Sequence, residues 1–182
     1  MHSLGLLAIR ITTGVIFAAH GYAKLFGGEG KTVHPQAQQY LGEGFAQAVA
    51  RGGPSNFARG LERMGVPAPR FMAFVVGGTE FVGGLMLVFG LLTRLAALGL
   101  AVNMLFAIKL AHWKQGLIGS ASGYMYALSM LGSMLGLLFL GAGAVSADGE
   151  AIRRLRARYS PSAGTADKRA HGRGSKVPIG IV

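Results

Sequence analysis

Residues 71–92 read FMAFVVGGTEFVGGLMLVFGLL, an apolar run that contains one charged residue, Glu80. At 1.5 Å per residue, a helix of this length can cross the ~30 Å hydrocarbon core of a bilayer. A charged side chain at the centre of a spanning helix costs about 2.5–3.5 kcal/mol on insertion scales. We therefore expect the protein itself to supply a partner for Glu80.

The chain as a whole is apolar, with a mean hydropathy of +0.44. Four stretches have the length of membrane-spanning helices, and they are residues 4–26, 71–92, 95–112 and 118–145. The sequence therefore predicts an all-α fold, an integral membrane four-helix bundle within residues 1–149. The first stretch could instead be a cleaved signal peptide, but no basic residue precedes its apolar core and Arg10 lies inside it.

The first loop, residues 27–70, separates the first two predicted spans. Its early part, GGEGKTVHPQAQQ, is polar and contains several glycines, so we expect a loop there. Further along, Phe57, Leu61 and Met64 recur at i, i+4 and i+7. This pattern predicts a short amphipathic helix, which would lie in the membrane interface or cover the end of the bundle.

Positive charge is concentrated at the C-terminus. The formal net charge is +11, and eight of the eighteen lysines and arginines lie in residues 153–182. By the positive-inside rule, a basic tail after four spans places both termini in the cytoplasm. We expect this tail, residues 150–182, to be disordered because it is rich in small and basic residues, and binding to anionic lipid headgroups is an alternative role for it.

Other partner classes are less compatible with the sequence. No recognition motif accompanies the basic charge, so we expect no nucleic-acid partner. The chain has no cysteine, which excludes thiol nucleophiles and metal centres ligated by its own cysteines. We expect no metal site, and redox chemistry would need a bound cofactor or a partner protein.

Several ionisable side chains fall at similar depth in the predicted spans. Counted at 1.5 Å per residue, five of them share a band between the bilayer centre and the outer surface: His20, Lys24, Glu80, Lys109 and His112. Arg10 lies nearer the inner surface, and its long side chain would reach toward Glu80 or extend to the headgroups. Glu80 therefore has several candidate cationic partners.

Glycines flank the carboxylate on its own helical face. Gly77 and Gly84 lie at i−3 and i+4 from Glu80, so they would let a neighbouring helix approach closely enough to pair with it. In the fourth span, Gly132 and Gly136 have the spacing that favours close helix packing. The ionisable band is interpreted as a functional site, and an ion pair that only fixes helix register is the alternative.

Four segments resemble the DoxX family in their order and spacing. They are RITTGVIFAAHGYAKLF from Arg10, MGVPAPR from Met64, GGTEFVGGLMLVFGLLTRLAALGLA from Gly77, and GAGAVSADG from Gly141. The resemblance covers most of residues 4–149 and implies a four-helix protein of the bacterial cytoplasmic membrane. The residues that match the family pattern are Arg10, His20, Lys24, Glu80 and Asp148. The chain departs from that pattern in its longer first loop.

DoxX-like proteins are associated with membrane redox complexes, so the resemblance implies a membrane subunit of a quinone-linked or thiol and oxidative-stress complex. Glu80 and His20 would exchange protons with a bound quinone, and the binding residues would be Arg10, Lys24, Lys109 and His112. Catalysis would require an oxidoreductase partner. Two alternatives remain open: a small proton-coupled transporter that acts as a homo-oligomer, and a membrane scaffold without chemistry.

Overall fold

A computed structural model describes residues 2–118 and 123–159 of the chain. The predicted all-α class is confirmed, since the described residues form seven α-helices and no strand. The helices are α1 (His2–Phe26), α2 (Pro35–Arg51), α3 (Pro54–Arg63), α4 (Pro69–Phe89), α5 (Thr93–Ala107), α6 (Met125–Leu140) and α7 (Ala147–Tyr159). A π-helical turn, Ile108–His112, and a 3₁₀ turn, Trp113–Gln115, continue α5.

Within the described residues, three helical stretches are long and apolar enough to cross a membrane: Ser3–Phe26, Pro69–Phe89 and Thr93–Gln115. The helix α6 is also apolar but has 16 residues, fewer than the ~20 that a span normally needs. Gly141, with φ 79°, ends α6 before the predicted boundary at residue 145, because a left-handed residue cannot continue an α-helix. Part of the predicted fourth span, residues 119–122, lies outside the described residues, and a fourth crossing stays a prediction.

The first loop contains two helices, not one. The helix predicted near Phe57 is confirmed as α3, whereas the loop expected before it is wrong over Pro35–Arg51, which forms α2. Proline at the first position and the His34 side chain, which accepts from the Gln36 N–H at 3.4 Å, start α2. Gly42, with φ 82°, bends it. The position of α3 at the membrane interface remains a prediction.

Helices α1 and α4 pack in antiparallel orientation with their backbones in direct contact. A Cβ atom added to Gly21 would lie 2.2 Å from the Phe81 amide nitrogen, and one added to Gly84 would lie 2.5 Å from the Ala18 amide nitrogen. Only glycine permits this separation. On the other side of α4, the fully buried side chains of Leu87, Leu100, Met134 and Leu137 join α4, α5 and α6 in one core.

The segment after α6 begins with a helix, α7, that the sequence analysis did not predict. The tail was expected to be disordered from residue 150, but α7 continues to Tyr159. Asp148 and Glu150 occupy its first turn, where negative charge favours a helix, and alanine, leucine and arginine are good helix formers. The chain divides into two compact units, the first of which ends at Glu150 and the second of which begins at Ala151. The remainder of the predicted tail, 160–182, lies outside the described residues.

Candidate functional site

The buried carboxylate forms an ion pair with the last turn of α1. The Lys24 ammonium nitrogen lies 2.5 Å from both carboxylate oxygens of Glu80. Glu80 is 3% exposed, while the Lys24 side chain is 25% exposed. Short contacts between opposite charges are about twice as strong as neutral hydrogen bonds. The protein thus supplies the partner that a carboxylate in an apolar helix requires.

The glycines beside Glu80 make this contact possible. A Cβ atom on Gly77 would lie 3.0 Å from the Leu25 side chain and 3.4 Å from the Cβ of Lys24. At Gly84, one helical turn away on the other side of Glu80, α1 also packs directly on the α4 backbone. The prediction that these glycines allow a neighbouring helix to approach Glu80 is confirmed.

The helix α3 contributes an aromatic ring to the same pair. The Lys24 nitrogen lies 4.8 Å from the centre of the Phe57 ring, a cation–π contact. The chain just before α3 is fixed to the end of α1, because the Gly53 N–H donates to the Ala23 carbonyl at 2.9 Å. The lysine is therefore held between a carboxylate on α4 and a ring on α3.

A groove of about 380 Å³ lies between α1 and α2 and is also lined by Tyr126 of α6. Most of its lining is apolar, and its polar side chains are His20 and Tyr126, whose ring centres lie 6.2 Å apart. His20 lies one helical turn from Lys24 on the same side of α1. The other lining residues are Val15, Ile16 and Ala19 of α1, and Leu41, Gly44, Phe45 and Ala48 of α2.

His20 has a defined hydrogen bond within α1. Its Nδ1 lies 2.8 Å from the Ile16 carbonyl oxygen, one turn earlier in the helix. A carbonyl oxygen only accepts, so Nδ1 is the nitrogen that carries a proton. This bond orients the ring toward one side of α1, where it lines the groove.

Arg10 lies at the opposite end of the bundle from the Lys24–Glu80 pair. It is 1% exposed, and its guanidinium donates to the carbonyl oxygens of Leu87 at 3.0 Å, Ala142 at 2.5 Å and Val145 at 2.9 Å. The expected contact with Glu80 is not made. The reason is that these backbone carbonyls already accept its hydrogen bonds.

Asp148 lies at the same end as Arg10 and caps α5. Its two carboxylate oxygens accept from the backbone N–H groups of Leu92 at 2.8 Å and Thr93 at 2.9 Å, while its own N–H donates to the Gly90 carbonyl at 3.0 Å. A carboxylate at the start of a helix accepts from N–H groups that have no partner within the helix. Arg10 and Asp148 thus connect α1, α4 and α5 to the segment after α6.

The remaining predicted site residues lie in the π-helical turn after α5. Lys109 is exposed and His112 is partly buried. The salt bridge that Glu80 makes among the described residues is with Lys24. The structure therefore does not bring Lys109 to the carboxylate, and neither residue lines the groove.

Three aromatic residues of the site were not predicted: Phe45, Phe57 and Tyr126. The α2 wall of the groove, formed by Leu41, Gly44, Phe45 and Ala48, did carry a helical pattern in the sequence. These residues recur at i, i+3, i+4 and i+7, the period of one helix face. Phe57 was interpreted as part of an amphipathic pattern and not as a contact of Lys24. No local pattern indicated that Tyr126 would face His20.

The sequence is similar to one protein family and to several individual proteins. The family model described as DoxX matches residues 5–113. The "Inner membrane protein YqjF" of Escherichia coli (strain K12) is 31% identical over 148 residues, 81% of this chain and 92% of its own length. The "Uncharacterized membrane protein Rv3486" of Mycobacterium tuberculosis (strain ATCC 25618 / H37Rv) is 30% identical over 161 residues, 83% of each chain.

A further relative carries a name that indicates chemistry. The "Putative oxidoreductase CatD" of Bacillus subtilis (strain 168) is 29% identical over 118 residues, 65% of this chain and 67% of its own length. No solved structure matches the chain. Because the family model covers more than half of the sequence and the relatives include membrane proteins, the chain is a membrane protein that belongs to the DoxX family.

Proposed function

We propose that this protein is the membrane subunit of a redox complex and that it binds a quinone in the groove between α1 and α2. The observation that carries the proposal is the position of the groove: its polar side chains are His20 and Tyr126, and His20 lies one helical turn along α1 from Lys24, the partner of the buried Glu80. Ionisable groups at membrane depth usually mark a functional site. The name of the Bacillus subtilis relative supports a redox role.

The chemistry divides between the groove and the ion pair. A quinone takes up two electrons and two protons when it becomes a quinol, and an oxidoreductase partner supplies the electrons in this proposal. His20 lines the groove and is the group that exchanges a proton with the bound ring. Glu80 is enclosed by Lys24 and α1, so its part is to hold Lys24 in place and to exchange protons only when Lys24 moves away.

The cellular setting is part of the proposal. We place the protein in the bacterial inner membrane with both termini in the cytoplasm, on the basis of the basic C-terminal segment and the name of the Escherichia coli relative. The lipid bilayer and an oxidoreductase are its expected partners. Lys109 and His112 lie outside the groove lining and have no role in this proposal.

Purification from native membranes tests the function. The tagged protein is isolated in mild detergent at equal expression with two variants, Glu80→Gln and the matched control Lys109→Gln, and mass spectrometry identifies co-purifying proteins and lipid-soluble molecules. We expect a quinone or an oxidoreductase to be retained by the parent and by Lys109→Gln and to be lost from Glu80→Gln. Recovery of lipid alone with all three proteins would contradict a stable redox complex.

A further inference from the structure

The hydrogen bond inside α1 decides which polar atoms the groove offers to a ligand. Nδ1 of His20 donates its proton to the Ile16 carbonyl oxygen at 2.8 Å. In a neutral imidazole with a protonated Nδ1, the second nitrogen, Nε2, carries a lone pair and accepts. When its ring is neutral, His20 therefore presents Nε2 as an acceptor, and this histidine lines the groove.

We propose that the groove binds the reduced, hydroxyl-bearing ring in preference to the oxidised ring, with Nε2 of His20 accepting from the ring O–H. This inference rests on the proposed function and specifies the redox form that its site selects. A hydroquinone or other lipid-soluble phenol has an O–H group to donate. The oxidised ring has carbonyl oxygens in those places, and two acceptors that face each other gain no hydrogen bond.

The other groups around the groove do not reverse this preference. The Tyr126 hydroxyl donates or accepts according to its rotation, so it serves both redox forms. The apolar walls, which include Leu41 and Phe45 of α2, contact the ring and its hydrocarbon tail in either form. The difference between the two forms therefore comes from His20.

A single hydrogen bond sets the size of the effect. A net contribution of about 1.4 kcal/mol corresponds to a tenfold difference in dissociation constant, so we expect the quinol to bind about tenfold more tightly than the quinone. Preferential binding of the reduced form raises the midpoint potential of the bound couple. For a two-electron couple, a tenfold preference corresponds to about 30 mV. The groove would favour reduction of the ring over its reoxidation.

Binding measurements on the intact protein test this inference. The full chain is purified, placed in nanodiscs and titrated separately with decylubiquinol and decylubiquinone, with no electron donor present. The same titrations are made with His20→Leu, which removes the acceptor, and with Phe45→Ala, which removes an aromatic ring from the apolar lining of the groove. We expect the quinol preference to disappear in His20→Leu, and both forms to weaken by a similar factor in Phe45→Ala.

A second measurement reads the protonation of the histidine directly in the parent protein. In protein labelled with ¹⁵N-histidine, the resonance of His20, assigned with His20→Gln, should show an unprotonated Nε2 that shifts with decylubiquinol and not with decylubiquinone. A protonated Nε2, or equal affinities for the two forms in the parent protein, would overturn the inference while leaving a quinone site intact. If neither form binds, the proposed function fails as well.

Discussion

The ion pair between Lys24 and Glu80 predicts an asymmetry between two substitutions. Lys24→Met leaves a carboxylate that is 3% exposed without its cation, and removing one partner of a buried pair costs about 3–5 kcal/mol. Glu80→Gln leaves an ammonium whose side chain is 25% exposed and lies above the Phe57 ring. The loss of stability in Glu80→Gln should be nearer 1.5–3 kcal/mol, roughly the contribution of a hydrogen bond to a charged group. Lys24→Met should therefore be the more damaging change, by about 2 kcal/mol.

The double variant provides the sharpest test. When both residues are replaced, no unpaired charge remains in the bundle, and neutral replacement of a buried pair often has little effect on stability. The double variant should thus be more stable than Lys24→Met alone, and its loss of stability should be at least about 4 kcal/mol smaller than the sum of the two single losses.

The four proteins are compared by the free energy of unfolding and the melting temperature in one detergent at pH 7. The reasoning would be refuted by additive effects in the double variant, which would mean that the two groups are not coupled. Equal losses in the two single variants would contradict the role assigned to burial. Expression levels alone do not decide the matter, so each variant is measured after purification to the same oligomeric state.

Further substitutions test the packing and the opposite end of the bundle. Gly84→Ala should lower the stability measured by melting in detergent by about 1–3 kcal/mol, because its Cβ would lie 2.5 Å from the Ala18 nitrogen. Gly132→Ala brings its Cβ within 4 Å of no atom of another described helix, so it should raise the stability by up to about 1 kcal/mol. Arg10→Met leaves three carbonyl acceptors without their donor and should lower stability by about 3–5 kcal/mol. Asp148→Ala should cost about 0.5–2 kcal/mol and speed hydrogen exchange of the amides that begin α5, while unchanged exchange there would contradict the cap.

The sequence could identify the carboxylate's helix face but not its partner. Gly77 and Gly84 share a face with Glu80 by helical geometry alone, so a close neighbour was predictable. Counting residues along a helix gives the depth of a side chain, however, and does not give its rotation about the helix axis. The sequence therefore made Lys24 and Lys109 equally plausible partners of Glu80, and only the tertiary packing shows that Lys24 is the partner.

The contacts of Arg10 could not be predicted for a different reason. Its partners are backbone carbonyl oxygens, which every residue has, so no side chain marks the acceptors in the sequence. The α2 wall of the groove was missed because Gly42 interrupts the helix and polar residues surround its apolar period. Glycine and polar residues are also the usual signals of a loop, and they outweighed the periodic signal.

The contacts of Arg10 also constrain how the protein is made. The guanidinium is synthesised with the first helix, but its acceptor at Ala142 lies 132 residues later. At typical synthesis rates of 5–20 residues per second, roughly 7–26 s pass before that acceptor exists. During this interval the guanidinium lacks its acceptors at Ala142 and Val145. Closure of the bundle around Arg10 is therefore completed only after the last apolar helix has been made, which makes it a late step in biogenesis.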